Sequence, residues 1–183
     1  MRLEALLGAL ETQVRVGRRI RADQLSLSTP CQDWSVREVM NHSIGVTLKF
    51  ADFASGAADH PRSPPGDLVG PDHCGALRWC ADAASTAWSS ADMTRSCDLP
   101  FGSFSADLAA GINLFDVLAH TWDIATASDV EVDCADDLWS VGLAAGRTVI
   151  GTNRDLSHYA PELPAGPTAR ARERFLRFLG RVE

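Results

Sequence analysis

The segment Leu114-Phe115-Asp116-Val117-Leu118-Ala119-His120-Thr121-Trp122-Asp123-Ile124-Ala125 is apolar on almost every side of a helix, yet it carries two carboxylates and an imidazole. A helix that is apolar all round belongs in an interior, where each polar side chain needs a partner. Helical spacing puts Asp116 one turn before His120 and Asp123 three residues after it, so all three share one strip. That is how a helix presents metal ligands.

A buried helix needs neighbours to bury it, and the rest of the chain supplies them. Leu3, Leu6, Leu7, Leu10, Val14 and Ile20 recur every three or four residues and predict a first helix over 2–21. Ser35-Val36-Arg37-Glu38 has the Ser-x-x-Glu form of a capping box and opens a second helix with an inward stripe through Val39, Met40, Ser43, Thr47 and Phe50. Gly56, with Pro61, Pro64, Pro65 and Pro71 beyond it, closes that helix. Leu77, Cys80, Ala81, Ala84 and Trp88 predict a third helix over 72–91, and Ser105 offers the cap of a fourth over 105–127. Leu138, Val141, Ala145 and Val149 predict a fifth over 136–152, in which Gly142 and Gly146 are spaced for close packing. Residues 93–104 read as a connection with a strand-like piece. A short last helix over 168–181 carries Arg170, Arg172, Arg174, Arg177 and Arg181, read as a solvated outer face. With so little strand signal the fold class is all-α: a four-helix bundle with additional short helices, in one domain over residues 1–183.

A formal charge of -7 argues against a polyanion, so no nucleic acid partner is expected. No stretch reaches the roughly 18 apolar residues of a membrane span. Cys31, Cys74, Cys80, Cys97 and Cys134 form an odd set without a Cys-x-x-Cys pair. Together with an N-terminus that lacks the pattern of a secretory signal, they lead us to expect a soluble cytoplasmic protein with reduced thiols. The partner expected is a small-molecule substrate, and a homodimer is left open.

His42 lies near the edge of the second helix's inward stripe, from which it could face the fourth. With Asp116 and His120 it would give two nitrogens and one oxygen, a three-ligand set that leaves positions open as in catalytic divalent metal sites. Asp123 would hold an imidazole or act on the substrate side, so Asp123 and His120 are the candidate catalytic groups and His42, Asp116 and His120 the candidate metal ligands. A lone histidine on a half-buried helix is more often a satisfied core residue, so spacing alone leaves the site open. No Gly-x-Ser-x-Gly elbow, phosphate loop or dinucleotide fingerprint offers a competing chemistry, and no residues suggest a separate cofactor site. His60, His73 and His158 read as exposed. Cys31 stands where the positive end of the second helix could lower its pKa, although packing near Trp34 is the simpler reading.

Four blocks then carry a resemblance: Thr29-Pro30-Cys31-Gln32-Asp33-Trp34-Ser35-Val36-Arg37-Glu38-Val39-Met40-Asn41-His42, Leu99-Pro100-Phe101-Gly102, Asp116 through Ala125, and Phe175-Leu176-Arg177-Phe178-Leu179-Gly180-Arg181. In this order they resemble the actinobacterial DinB-like proteins, in the branch related to the mycothiol-dependent maleylpyruvate isomerase N-terminal domain. The resemblance implies a DinB-type bundle holding a divalent metal, zinc or nickel, on positions that match His42, Asp116 and His120. It also implies an enzyme that joins a thiol of the mycothiol type to a small electrophile, as transferase or isomerase. The branch more often has Glu or His where this chain has Asp116, and an aspartate is shorter by about 1.5 Å. The helix must therefore shift, a water must bridge, or the metal is lost. The isomerase's second domain has no counterpart up to Glu183, so maleylpyruvate itself is not the expected substrate. A cyclase, lyase or hydrolase of specialised metabolism, with or without metal, stays open beside the thiol chemistry, as does a non-catalytic binder on the same bundle.

Overall fold

Among the described residues of the computed structural model, which are 2–31, 33–56, 66–99, 102–151, 154–156 and 159–183, there are six α-helices. They are α1 (Arg2–Gly17), α2 (Val36–Ser55), α3 (His73–Ser89), α4 (Ala106–Ala127), α5 (Asp136–Ile150) and α6 (Ala171–Phe178). His60, Pro61, Pro64, Pro65, Pro100 and His158, on which the sequence reading also placed expectations, lie outside the described residues.

Helices α1 and α2 each pack against both α3 and α4, so the four close a bundle with α1 diagonal to α2. α5 covers the groove between α1 and α4, and α6 packs on α5. α4 is therefore enclosed by α1, α2 and α5, which is what a helix apolar all round requires. The all-α expectation holds. Two pairs of polar side chains meet in the core. Gln13 donates to Ser43 at 2.8 Å across the α1–α2 diagonal, and Asn113 donates to Thr47 at 3.3 Å between α4 and α2.

The helix starts follow their caps. Glu38 accepts from the Ser35 backbone N–H at 2.8 Å while the Ser35 hydroxyl accepts from the Glu38 N–H at 3.4 Å, completing the capping box. Ser105 caps α4 through the Leu108 N–H, and Asp72 caps α3 through the Gly75 N–H. The glycines of α5 permit the close approach their spacing suggested. A Cβ at Gly146 would lie 2.4 Å from the Phe115 ring, and one at Gly142 would lie 2.9 Å from Leu118.

Three segments differ from the sequence reading. α1 ends at Gly17, where bonds from Arg19 to Val16 and from Ile20 to Gly17 tighten the last turn, and a short 3-10 helix, Ala22–Ser26, follows. Ile20 stays buried although it is no longer helical, so the periodicity ran past the end of the helix. The connection before α4 is a hairpin of β1 (Ser96–Leu99) and β2 (Gly102–Ser105), with Cys97 opposite Phe104. α6 is shorter than expected. It ends in a Schellman turn, with Arg181 N–H on the Leu176 carbonyl and Gly180 N–H on that of Arg177. Gly180 takes φ +75°, and a Cβ there would meet Ala160 at 2.6 Å. Among the described residues, no helix is long and apolar enough to cross a membrane.

Candidate metal centre

The loop before α2 folds back on itself before it reaches its cap. Thr29 N–H donates to the Trp34 carbonyl at 3.0 Å, the Thr29 hydroxyl donates to the same oxygen at 2.9 Å, and Asp33 takes the left-handed conformation at φ +66°. The turn carries the Trp34 indole to α2, where its ring lies 4.8 Å from that of His42. It also carries Cys31 toward α4. Two of the sequence's loop residues thus roof a patch of the α2–α4 interface.

Beneath that roof the structure brings His42, Asp116 and His120 together. Asp116 Oδ1 lies 3.6 Å from His42 Nε2 and 3.6 Å from His120 Nε2. The three donor atoms lie within 4.8 Å of one another. The His42 and His120 rings stand nearly perpendicular, at 82° with centroids 4.9 Å apart, so their nitrogens converge without stacking. A tetrahedral ion with ligands at 2.0–2.1 Å sets its donors about 3.3 Å apart, so small side-chain adjustments suffice. The shorter aspartate does not take its carboxylate out of reach.

A second observation bears on the fit. Asp116 Oδ2 is buried and has no hydrogen-bond partner, a costly state for a carboxylate oxygen unless something not made of protein meets it. Burial alone would raise the Asp116 carboxyl, but the His120 and His42 imidazoles outweigh it and hold the group below its usual range. Burial would likewise lower His120, but Asp116 and a hydrogen bond to Asp123 outweigh it and hold it above its usual value. Such a cluster of opposed shifts in one place is the electrostatic pattern of functional sites. Two neutral nitrogens, a carboxylate oxygen and open positions suit zinc or nickel.

Asp123 lies on the far side of His120 and is fully buried. Its Oδ2 is 3.1 Å from His120 Nδ1. Both of its oxygens also accept from Arg181, at 2.6 Å from Nε and 2.7 Å from Nη2. Arg181 thus does not share the solvated outer face expected of the α6 arginines, whereas Arg172, Arg174 and Arg177 do stay near the surface. The Schellman turn instead sends Arg181 inward. Its side chain is only 15% exposed, against 53% for Arg147, a surface arginine of α5. The clue in the sequence was Gly180 just past an apolar helix end, which reverses the chain.

For Cys31 the alternative of a lowered pKa falls away, and the simpler packing reading stands, with Cys31 and Trp34 both against the core. Burial, with the Asp123 carboxylate beside it, pushes the thiol up to about 11. Cys31, His120 and Asp123 also lie within metal-binding distance of one another, but Asp123 is already committed to Arg181 and His120. His73, expected to be exposed, is instead half-buried, with Nε2 3.1 Å from the Ile20 carbonyl, where it ties α3 to the segment that follows α1.

His42, but neither Asp116 nor His120, also lines a groove of about 500 Å³ together with Trp34, Arg37, Asn41 and Asp67. Arg37 and Asn41 shape its rim: Arg37 pairs with Asp67 and donates to the Gly70 carbonyl at 2.9 Å, and Asn41 accepts from the Leu68 N–H at 2.6 Å. The groove is large enough for a small molecule next to the donor set. A larger hollow of about 720 Å³ beside Trp79 on the outer face of α3 has no comparable set.

The chain is 29% identical over 165 residues to uncharacterized protein Rv0738 of Mycobacterium tuberculosis (strain ATCC 25618 / H37Rv), covering 89% of this chain and 88% of the relative. It is equally similar to uncharacterized protein MT0763 of strain CDC 1551 / Oshkosh. No solved structure matches the chain. The family described as mycothiol maleylpyruvate isomerase N-terminal domain matches residues 6–125, a span that takes in His42, Asp116, His120 and Asp123. With about two thirds of its length matched, the chain belongs to that family.

Proposed function

We propose that the protein is a metal-dependent enzyme that joins a thiol of the mycothiol type to a small electrophilic metabolite, as an S-transferase or isomerase. The observation that carries this reading is the convergence of His42, Asp116 and His120 on one point, with the second Asp116 oxygen buried and otherwise without a partner. Zinc or nickel would be held by His42 Nε2, Asp116 and His120 Nε2. When bound, such a cation favours the thiolate form of a thiol near neutral pH and so supplies the nucleophile.

The chain's own residues do the rest. Asp123 orients the His120 ring through Nδ1, and Trp34, packed on His42, keeps one side of the centre out of water. The groove beside His42 gives an electrophile room next to one of the three ligands. The Cys31 thiol, held protonated near neutral pH by its surroundings, does not compete with an incoming thiol as nucleophile. Five unpaired cysteines support a cytoplasmic setting, where thiols stay reduced.

The experiment is turnover of small electrophiles by zinc- or nickel-loaded protein, with and without mycothiol. The expected result is product formation that requires the thiol and becomes saturated as its concentration rises. An equal rate without any thiol would overturn the transferase reading in favour of a hydrolase, lyase or cyclase.

A further inference from the structure

Arg181 lies outside the span that matches the family, yet it reaches the buried Asp123 of α4. Its Nε and Nη2 each donate to a different oxygen of Asp123, at 2.6 and 2.7 Å. A guanidinium has donors only and keeps its charge. With each carboxylate oxygen already receiving an N–H, Asp123 has only lone pairs left for its third partner, His120 Nδ1, at 3.1 Å. A neutral imidazole has one donor and one acceptor nitrogen, so an acceptor at Nδ1 requires the proton there. The lone pair of Nε2 then points at Asp116 Oδ1, 3.6 Å away. Lone pair against lone pair is an arrangement that a cation between them relieves.

We propose that Arg181 is a positioning residue of the metal centre: by fixing Asp123 as a pure acceptor it sets the His120 tautomer that leaves Nε2 free to bind a metal ion. The Schellman turn at Gly180 is the device that delivers it, since without the left-handed residue the chain would carry Arg181 onward with the other arginines of α6. The C-terminal end of the chain thus acts on a site built by α2 and α4, through one buried carboxylate.

This inference rests on the metal reading for its consequence but not for its first test. In the metal-free, unaltered protein, at a pH where the imidazole is neutral, nitrogen-15 NMR of His120 is expected to show the proton on Nδ1. A proton on Nε2 would overturn the proposal whatever any variant does. The second test is zinc affinity by chelator competition. Arg181→Gln is expected to lose about 10–100-fold, the usual cost of removing a residue that orients a metal ligand. Arg181→Lys, which restores charge without the two-pronged contact, is expected to fall between Arg181→Gln and wild type. A folded Arg181→Gln protein that binds zinc as tightly as wild type would reduce Arg181 to a structural ion pair and overturn the proposal. Should that variant fail to fold, the tautomer in the unaltered protein decides. Failure of wild type itself to bind zinc would strike the proposed function instead, and the tautomer would still report on Arg181.

Discussion

Replacing His42 by alanine is expected to abolish tight zinc binding while leaving the bundle folded. His42 is the sole member of the donor set on α2, and without it Asp116 and His120 remain as two groups one turn apart on a single helix. Two donors from one helix do not hold a divalent ion against water, so the loss should exceed the roughly 10–100-fold that follows removal of an outer partner. The fold should survive because the His42 side chain is 27% exposed and alanine is the best helix former. Chelator competition measures the first expectation and far-ultraviolet circular dichroism the second. Retained zinc affinity in a folded His42→Ala protein would remove α2 from the site.

The second large effect concerns stability. Asp123→Ala is expected to cost the metal-free protein about 3–5 kcal/mol, because it leaves the largely buried Arg181 guanidinium without its counter-charge. For a chain of this size that is a fall in melting temperature of about 6–20 °C. The pH dependence follows from the direction of the Asp123 shift. Burial alone would raise its carboxyl, but His120 and Arg181 outweigh burial and hold it below the ordinary value. Its contribution is therefore complete above the unfolded carboxylate pKa and disappears as pH falls through the depressed folded value. Melting curves of wild type and variant should differ most near neutral pH and converge in acid. A difference that stays constant into acid would mean that packing, and not the ion pair, sets the cost.

Much of this was legible in the chain because local rules and burial agreed. The capping box at Ser35 and Glu38, the Ser105 cap and the all-round apolarity of α4 fixed which helices form and which one is enclosed. The same apolarity singled out Asp116, His120 and Asp123, since polar residues on such a helix must meet partners. Periodicity read less well at helix ends. Ile20 is buried without being helical, and the apolar positions of α6 run on into Leu179 beyond its last helical residue. Long-range geometry was the least legible. That Arg181 returns to Asp123 across 58 positions depends on one left-handed glycine and on how α6 packs against α5, neither of which a one-dimensional charge pattern contains. The role of Trp34 as a roof over His42 was hidden for the same reason, because it depends on the fold of the Thr29–Trp34 turn.

Two ligand sets share His120, and they differ in one element: His42 with Asp116 gives nitrogen and oxygen, whereas Cys31 with Asp123 would bring sulfur. X-ray absorption of the protein loaded with one equivalent of zinc separates them. The expected spectrum has two imidazole nitrogens with the remaining donors oxygen and no sulfur. A zinc–sulfur distance near 2.3 Å, or no specifically bound zinc at all, would contradict the assignment of His42, Asp116 and His120 to one ion.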